Sequence, residues 1–141
     1  MNDWFVDANV LAKWIPSGPD SAQALKVVSD TTAAGGRLFA LDIAKVEAAN
    51  AVWSRHHRRL ISTSEAKRAL VLLENAAVQI VPSLPTLSSA FDIAIQFDLA
   101  VYDALFVAAA DSAGVGGVTA DEPLVRAISS VYPQIKLLRS W

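Results

Sequence analysis

Hydrophobic positions along the chain alternate between short apolar runs and longer stretches with helical spacing. The short runs lack the in-and-out alternation of half-exposed strands, which is typical of strands buried on both faces. They predict strands over residues 4–6, 38–41, 78–81, 118–119 and 135–138. The longer stretches predict helices over residues 20–34, 42–60, from 62 onward, 87–97, 102–113 and 122–131. Alternating strands and helices predict an α/β fold, a three-layer α/β/α domain with a short, mainly parallel central sheet.

Several helix ends have recognisable signals. Ser62 and Glu65 have the spacing of a capping box, and Gly35 and Gly114 are placed to end helices. We expect Asp42 to cap the helix over 42–60. The apolar residues of that helix predict a single core-facing side that includes Trp53; its members are Ile43, Val46, Ala49, Asn50 and Trp53.

Composition restricts the class of protein. The 141 residues are 53% hydrophobic and 18% charged, which excludes a disordered chain and fits one domain over residues 1–141. The chain contains no cysteine, so disulfides and thiolate metal sites are excluded. The longest unbroken apolar run, residues 104–110, is too short for a membrane span, and residues 1–4 have no signal-peptide character. We therefore expect a cytoplasmic protein without a membrane partner.

The net charge of the chain does not exclude a polyanionic ligand. Twelve basic and fourteen acidic residues give a net charge of −2, which is not typical of a protein that coats nucleic acid. If four acids share one metal-binding pocket, the remaining surface is net positive.

Four acidic residues lie where the predicted fold brings chain segments together. Asp7 and Asp121 follow predicted neighbouring strands, Asp103 opens a helix, and Glu47 lies one turn into another. Taken singly, each has an ordinary structural explanation. Asp7 and Asp121 could be N-caps, Asp103 could be a first-turn acid favoured by the helix dipole, and Glu47 could lie on a solvated helix flank.

Taken together, the four acids favour a metal site. No charged residue occurs between Leu99 and Ala110 except Asp103, and Lys45 is the only basic residue near Glu47. Carboxylates buried without partners are costly, so they are usually paired or bound to a cation. An all-oxygen set of ligands suits Mg²⁺ or Mn²⁺.

The segments around these acids resemble the signature segments of PIN-domain ribonucleases, and most closely those of VapC toxins of toxin–antitoxin pairs. The similar segments cover most of the chain in the family's order. They are residues 6–14 (VDANVLAKW), 47–53 (EAANAVW), 102–108 (YDALFVA) and 118–124 (VTADEPL). Residues 42–45 and 98–101 depart from the family pattern without altering the acids.

The resemblance implies roles for individual residues. Asp7, Glu47, Asp103 and Asp121 correspond to the acidic quartet that is catalytic and holds one or two Mg²⁺ or Mn²⁺ ions. Asn9 and Thr119 correspond to the polar residues beside the quartet, and Asn50 to a supporting residue one turn beyond the glutamate. The implied activity is endoribonucleolytic, with metal-activated water attacking a phosphodiester. The implied partners are an RNA substrate, a cognate antitoxin and a second copy in a homodimer.

A basic stretch gives a weaker signal. Arg55, Arg58 and Arg59 lie at the end of the helix over 42–60 and are candidates for contact with RNA phosphates. A solvated helix end is the alternative, because cations also suit the C-terminal dipole.

Two other functions remain to be weighed. One is a PIN-like binding module without catalytic activity. The other is a Mg²⁺-binding phosphoacceptor receiver domain, which needs an aspartate after the third strand and a lysine after the last. Here Pro82 and Ser83 follow the third strand and Lys136 lies within the last, so the sequence favours the ribonuclease.

Overall fold

The fold is built on a five-stranded, fully parallel sheet. The structure is a computed structural model, and it describes residues 2–14 and 18–141. The strands are β1 (Trp4–Val6), β2 (Leu38–Leu41), β3 (Gln79–Val81), β4 (Gly116–Thr119) and β5 (Ile135–Leu137). Their order across the sheet is β3-β2-β1-β4-β5. The predicted α/β class and parallel sheet are confirmed.

Helices flank this sheet. They are α1 (Ala8–Leu11), α2 (Ser21–Ala33), α3 (Ala44–His57), α4 (Thr63–Glu74), α5 (Leu87–Phe97), α6 (Val101–Ala113) and α7 (Glu122–Ile128). Short 3₁₀ turns cover Ala12–Trp14, Leu84–Thr86 and Leu138–Ser140. Ser62 and Glu65 form the predicted capping box at the start of α4, and Gly114 ends α6 in the left-handed conformation with φ +68°.

The strand order reverses beside β1. The chain builds β1, β2 and β3 outward to one side, and then crosses to place β4 on the other side of β1. Ligands in open α/β sheets bind outside the carboxyl ends of the strands at such a reversal. A receiver domain has the order 2-1-3-4-5, with β3 at the centre, so this topology does not fit one.

Helix α6 forms the centre of one packed layer. Its residues 104–110 are all buried. It lies close to the sheet because β4 has glycine at the contact: a Cβ at Gly117 would lie 2.8 Å from the ring of Phe106. This close packing holds the first turn of α6, which contains Asp103, near the carboxyl ends of β1 and β4.

The predicted start and end of the helix over 42–60 are wrong, and its predicted buried face is right only for Ile43 and Ala49, which are partly buried against the core. The helix α3 begins at Ala44 and ends at His57, and the Asp42 carboxylate does not cap it. That carboxylate instead accepts a hydrogen bond from Ser83 N (3.2 Å), because the loop after β3 passes beside it.

The buried side of α3 consists of small residues. Ala44, Ala48 and Val52 face the core, whereas the side chains of Val46 and Trp53 are 71% and 55% exposed. The expectation that Trp53 is a core residue is therefore wrong. Small residues allow α3 to pack close to the rest of the molecule, and Trp53 stacks on His57 at the surface, with ring centroids 4.9 Å apart.

Helix α7 is shorter than predicted, since it ends at Ile128 rather than at residue 131. Within the described residues, no single helix is long and apolar enough to cross a membrane. A bent pair of helices, Leu84–Phe97 with Val101–Ala113 at 118°, passes the same test of length and composition.

Candidate active site

Two of the four acids follow neighbouring strands at the reversal of strand order. Asp7 follows β1 directly and Asp121 lies two residues beyond the end of β4. The two strands are paired, and Asp7 N donates to Val118 O (3.0 Å). The sheet thus brings together two segments that are more than 110 residues apart in sequence.

A hydrogen-bond network holds the Asp7 carboxylate. Thr119 Oγ1 donates to Asp7 Oδ2 (2.8 Å), and Asn9 Nδ2 lies 3.4 Å from the same oxygen. Asn9 also accepts a hydrogen bond from Ala120 N (2.9 Å). Thr119 is fully buried, so its hydroxyl is fixed in position. Asn9 and Thr119, predicted to lie beside the quartet, therefore contact Asp7 directly and tie β1 to β4.

Asp7 and Asp121 are also helix caps. Asp7 Oδ1 accepts from Ala8 N (2.8 Å) at the start of α1, and Asp121 Oδ1 accepts from Leu124 N (3.1 Å) at the start of α7. The prediction that these two acids could be N-caps is therefore confirmed. This role leaves the second oxygen of each carboxylate outside the cap.

Glu47 and Asp103 occupy first turns of long helices and face the same region. Glu47 lies in the first turn of α3 and is exposed, and Asp103 lies in the first turn of α6 and is half-buried. Within the described residues, neither side chain forms an ion pair with a lysine or arginine.

The four carboxylates act on one another electrostatically. Burial raises the pKa of Asp7 to about 6, hydrogen bonds from Thr119 and Ala8 oppose that rise, and the charges of Asp103 and Glu47 add to it. Partial desolvation of the Glu47 carboxyl group, and then the charge of Asp103, raise the pKa of Glu47. Burial and then the charge of Asp121 raise the pKa of Asp103. Asp103 is thus linked to all three other acids, and perturbed groups of this kind mark functional sites.

Two cavities adjoin the acids. A small cavity of about 10 Å³ is lined by both Asp7 and Glu47, together with Tyr102. A wider surface cavity of about 660 Å³ is lined by Glu47, Asn50 and Tyr102. Asn50 is exposed there, one turn beyond Glu47. Tyr102, whose side chain is 67% exposed, was not singled out by sequence reasoning.

The residues present suit a divalent cation by chemistry more than by preformed geometry. Over residues 2–14 and 18–141, no group of three or more His, Asp or Glu side chains is close enough to enclose an ion. The donors are nonetheless all oxygen, as Mg²⁺ and Mn²⁺ prefer, and their shared negative charge has no basic partner among the described residues. Binding of one ion by several of them would therefore require side-chain rotation.

The basic stretch divides into two parts. Arg55 and Arg58 line a cleft of about 480 Å³ that also includes Asn9 and Lys13, whereas Arg59 is not among its lining residues. Arg59 lies in the turn after α3 with φ +61°. Sequence reasoning missed Lys13. The available signal was its spacing from Asn9, because residues four apart lie on the same side of a helical segment.

Comparison with known proteins gives consistent matches. Residues 4–128 match the PIN domain family. Ribonuclease VapC3 of Pyrobaculum aerophilum is 32% identical over 121 residues, which cover 84% of this chain and 89% of that protein.

Solved structures share the fold at lower identity. The crystal structure of PAE2754 from Pyrobaculum aerophilum has a TM-score of 0.69 at 22% identity, and the match covers 98% of this chain and 92% of that one. A toxin–antitoxin complex from Klebsiella pneumoniae has a TM-score of 0.65 at 15% identity, covering 95% and 96%.

Proposed function

Because the chain belongs to the PIN domain family, we propose that it is a metal-dependent endoribonuclease that hydrolyses phosphodiester bonds of RNA. The observation that supports this activity most directly is the set of four carboxylates at the reversal of strand order. Each of them interacts electrostatically with at least one other, and Asp103 interacts with all three. A binding module has no need for such mutually repelling acids.

In this proposal Asp7, Glu47, Asp103 and Asp121 hold the cation, Mg²⁺ or Mn²⁺. When bound, a cation of this kind activates water and offsets the charge of the phosphodiester. Asn9 and Thr119 keep Asp7 in one orientation through hydrogen bonds to its Oδ2. Since water is the nucleophile, the products carry a 5′-phosphate and a 3′-hydroxyl.

The donor network also orients Asp7. Its Oδ1 accepts from Ala8 N and its Oδ2 from Thr119 Oγ1. The carboxylate keeps a lone pair that can bind a cation, and we assign Asp7 a ligand role. Asn50, which lines the wider cavity with Glu47, is assigned a supporting role one turn beyond the glutamate.

We further propose that the protein is a cytoplasmic toxin with a cognate antitoxin as its partner and that it forms a homodimer. One relative is called a ribonuclease VapC, and one structural neighbour is a toxin–antitoxin complex. Exposed apolar side chains spaced along α5 (Leu87, Phe91 and Ile95) provide surface for protein contacts. Sedimentation of the purified protein as a single copy would contradict the dimer.

The activity is tested by RNA cleavage with purified protein. We expect cleavage with Mg²⁺ or Mn²⁺, none in EDTA, and none by Asp103→Asn with either ion, because this change removes the carboxylate linked to the other three. Asp111→Asn is the matched control: it alters an exposed aspartate eight residues further along α6 and should cleave as the wild type does. Cleavage by Asp103→Asn at the wild-type rate would contradict the proposed site.

A further inference from the structure

A cationic cleft lies beside α3 and adjoins the acidic site through Asn9, which is hydrogen-bonded to Asp7. Glu47, Ala51 and Ser54 follow i, i+4 and i+7 spacing and so lie on one side of α3, and Arg58, at the cap directly after the helix, lines the same cleft as Ala51 and Ser54. At 1.5 Å per residue, Glu47 and Arg58 are about 16 Å apart along the helix axis. The acid is near one end of the helix and the arginine at the other.

The opposite wall of the cleft is formed by α1 and the 3₁₀ turn Ala12–Trp14, which pack against α3. Asn9 and Lys13 belong to this wall, and both line the cleft with Arg55 and Arg58. Asn9 is also hydrogen-bonded to Asp7 and Thr119. The cleft therefore adjoins the candidate active site through Asn9, and Lys13 and the two arginines supply its positive charge.

The cations of the cleft are available for a ligand. No ion pair within residues 2–14 and 18–141 involves Lys13, Arg55 or Arg58. Arg55 reaches across the cleft, since a Cβ at Gly18 would lie 3.9 Å from its Nη1. Hydrogen bonds with Ser62, and then more weakly the charge of Arg55, lower the pKa of Glu65, but within the described part of the chain Arg55 and Glu65 form no ion pair. The Glu65 carboxylate instead accepts a hydrogen bond from Ser62 N in the capping box (3.1 Å).

We propose that Lys13, Arg55 and Arg58 bind the phosphates of the RNA strand on one side of the cleaved bond. The inference rests on the proposed function, because it is the acidic site that makes a strand pass this way. Three cations in a cleft that adjoins a phosphodiester-cleaving centre match the charge of a backbone that continues away from that centre. The proposal assigns phosphate contact to Arg55 and Arg58, which line the cleft, and not to Arg59, which does not line it.

The test is the salt dependence of RNA binding, measured by fluorescence anisotropy of labelled oligouridylate in EDTA, where cleavage does not contribute. Each phosphate contact adds about 0.7 to the slope of log affinity against log salt for a single strand. Lys13→Gln, Arg55→Gln and Arg58→Gln should each reduce the slope by about 0.7. When salt rises from about 50 to 200 mM, the RNA affinity of both proteins should fall, and the factor by which it falls should be about 18 times smaller for the triple variant than for the wild type.

Matched controls separate a phosphate contact from a structural effect. Arg59→Gln removes the same charge from the adjacent position and should keep the wild-type slope. Lys67→Gln, in a separate groove on α4, should do the same. Arg58→Lys keeps the charge and should restore the slope that Arg58→Gln loses. Melting temperatures establish that each variant is folded.

The outcomes distinguish this inference from the proposed function. If the wild type cleaves RNA with Mn²⁺ but the triple variant keeps the wild-type slope, the cleft assignment is overturned and the activity stands. The cleft assignment is also overturned if Arg59→Gln reduces the slope as much as Arg58→Gln does. It is overturned as well if the cleft binds polyglutamate while the RNA slope of the triple variant is unchanged. If the wild type binds RNA through the cleft without ever cleaving it, the cleft stands and the nuclease does not.

Discussion

At the scale of single residues, Asp103 is the most informative side chain in the molecule. It is half-buried, it forms no ion pair within the described residues, and its charge acts on Asp7 and Glu47. Asp7 and Asp121, by contrast, each cap a helix, so their removal changes local structure as well as charge. A substitution at Asp103 therefore reports on the repulsion among the acids with little else altered.

Asp103→Asn should melt at or above the wild-type temperature in EDTA at neutral pH. Burial, and then the charge of Asp121, raise the pKa of Asp103, so ionisation of this group destabilises the folded state. When the pKa of a carboxyl group is higher in the folded state than in the unfolded state, its protonated form favours folding. That contribution to the free energy of unfolding is complete below the unfolded pKa, near 3.9 for Asp, and is lost as pH rises through the folded pKa. The advantage of the variant should therefore shrink as pH falls toward about 4. Thermal unfolding at several pH values measures this.

At the scale of elements, two helix caps provide a matched comparison. Ser62 caps α4 far from the acids, and Asp121 caps α7 beside them. Ser62→Ala should destabilise the fold by about 0.5–2 kcal/mol. Asp121→Ala should destabilise it by less, because loss of its charge also relieves repulsion on Asp103. Only Asp121→Ala should also abolish RNA cleavage. Denaturant unfolding and the cleavage assay check the two expectations, and full activity of Asp121→Ala would reduce this residue to a cap.

The element boundaries show where sequence reasoning succeeds. Strands buried on both faces have unbroken apolar runs, so β2 falls at the predicted bounds. The capping box of Ser62 and Glu65 marks the start of α4, and the helical spacing of apolar residues gives the bounds of α5, whose start has no side-chain cap. The face of α3 was mispredicted because a hydrophobic pattern does not distinguish a core-facing side from an exposed apolar one. Val46 and Trp53 are large and apolar but point outward, while the small Ala44 and Ala48 pack inward.

At the scale of the whole molecule, the topology explains why the site could be predicted only in part. The positions of Asp7 and Asp121 after strands were readable from the sequence, and the pairing of β1 with β4 places them together. The cleft was not readable, because Lys13 and Arg58 are 45 residues apart and meet only through the packing of the 3₁₀ turn against α3. Such long-range placement depends on tertiary structure rather than on local pattern.

The central claim, that the four carboxylates form one divalent-cation site, is tested most directly by Mn²⁺-dependent melting of the wild type, Asp103→Asn and Asp111→Asn. Metal that binds only the folded state stabilises it by about 2.7 kcal/mol at a hundredfold excess over Kd, equivalent to about 9 °C for a chain of this length. We predict that rise for the wild type and Asp111→Asn, and almost none for Asp103→Asn. The account would be contradicted if Mn²⁺ did not change the melting temperature of the wild type and Asp103→Asn melted well below it. Asp103 would then be a structural residue.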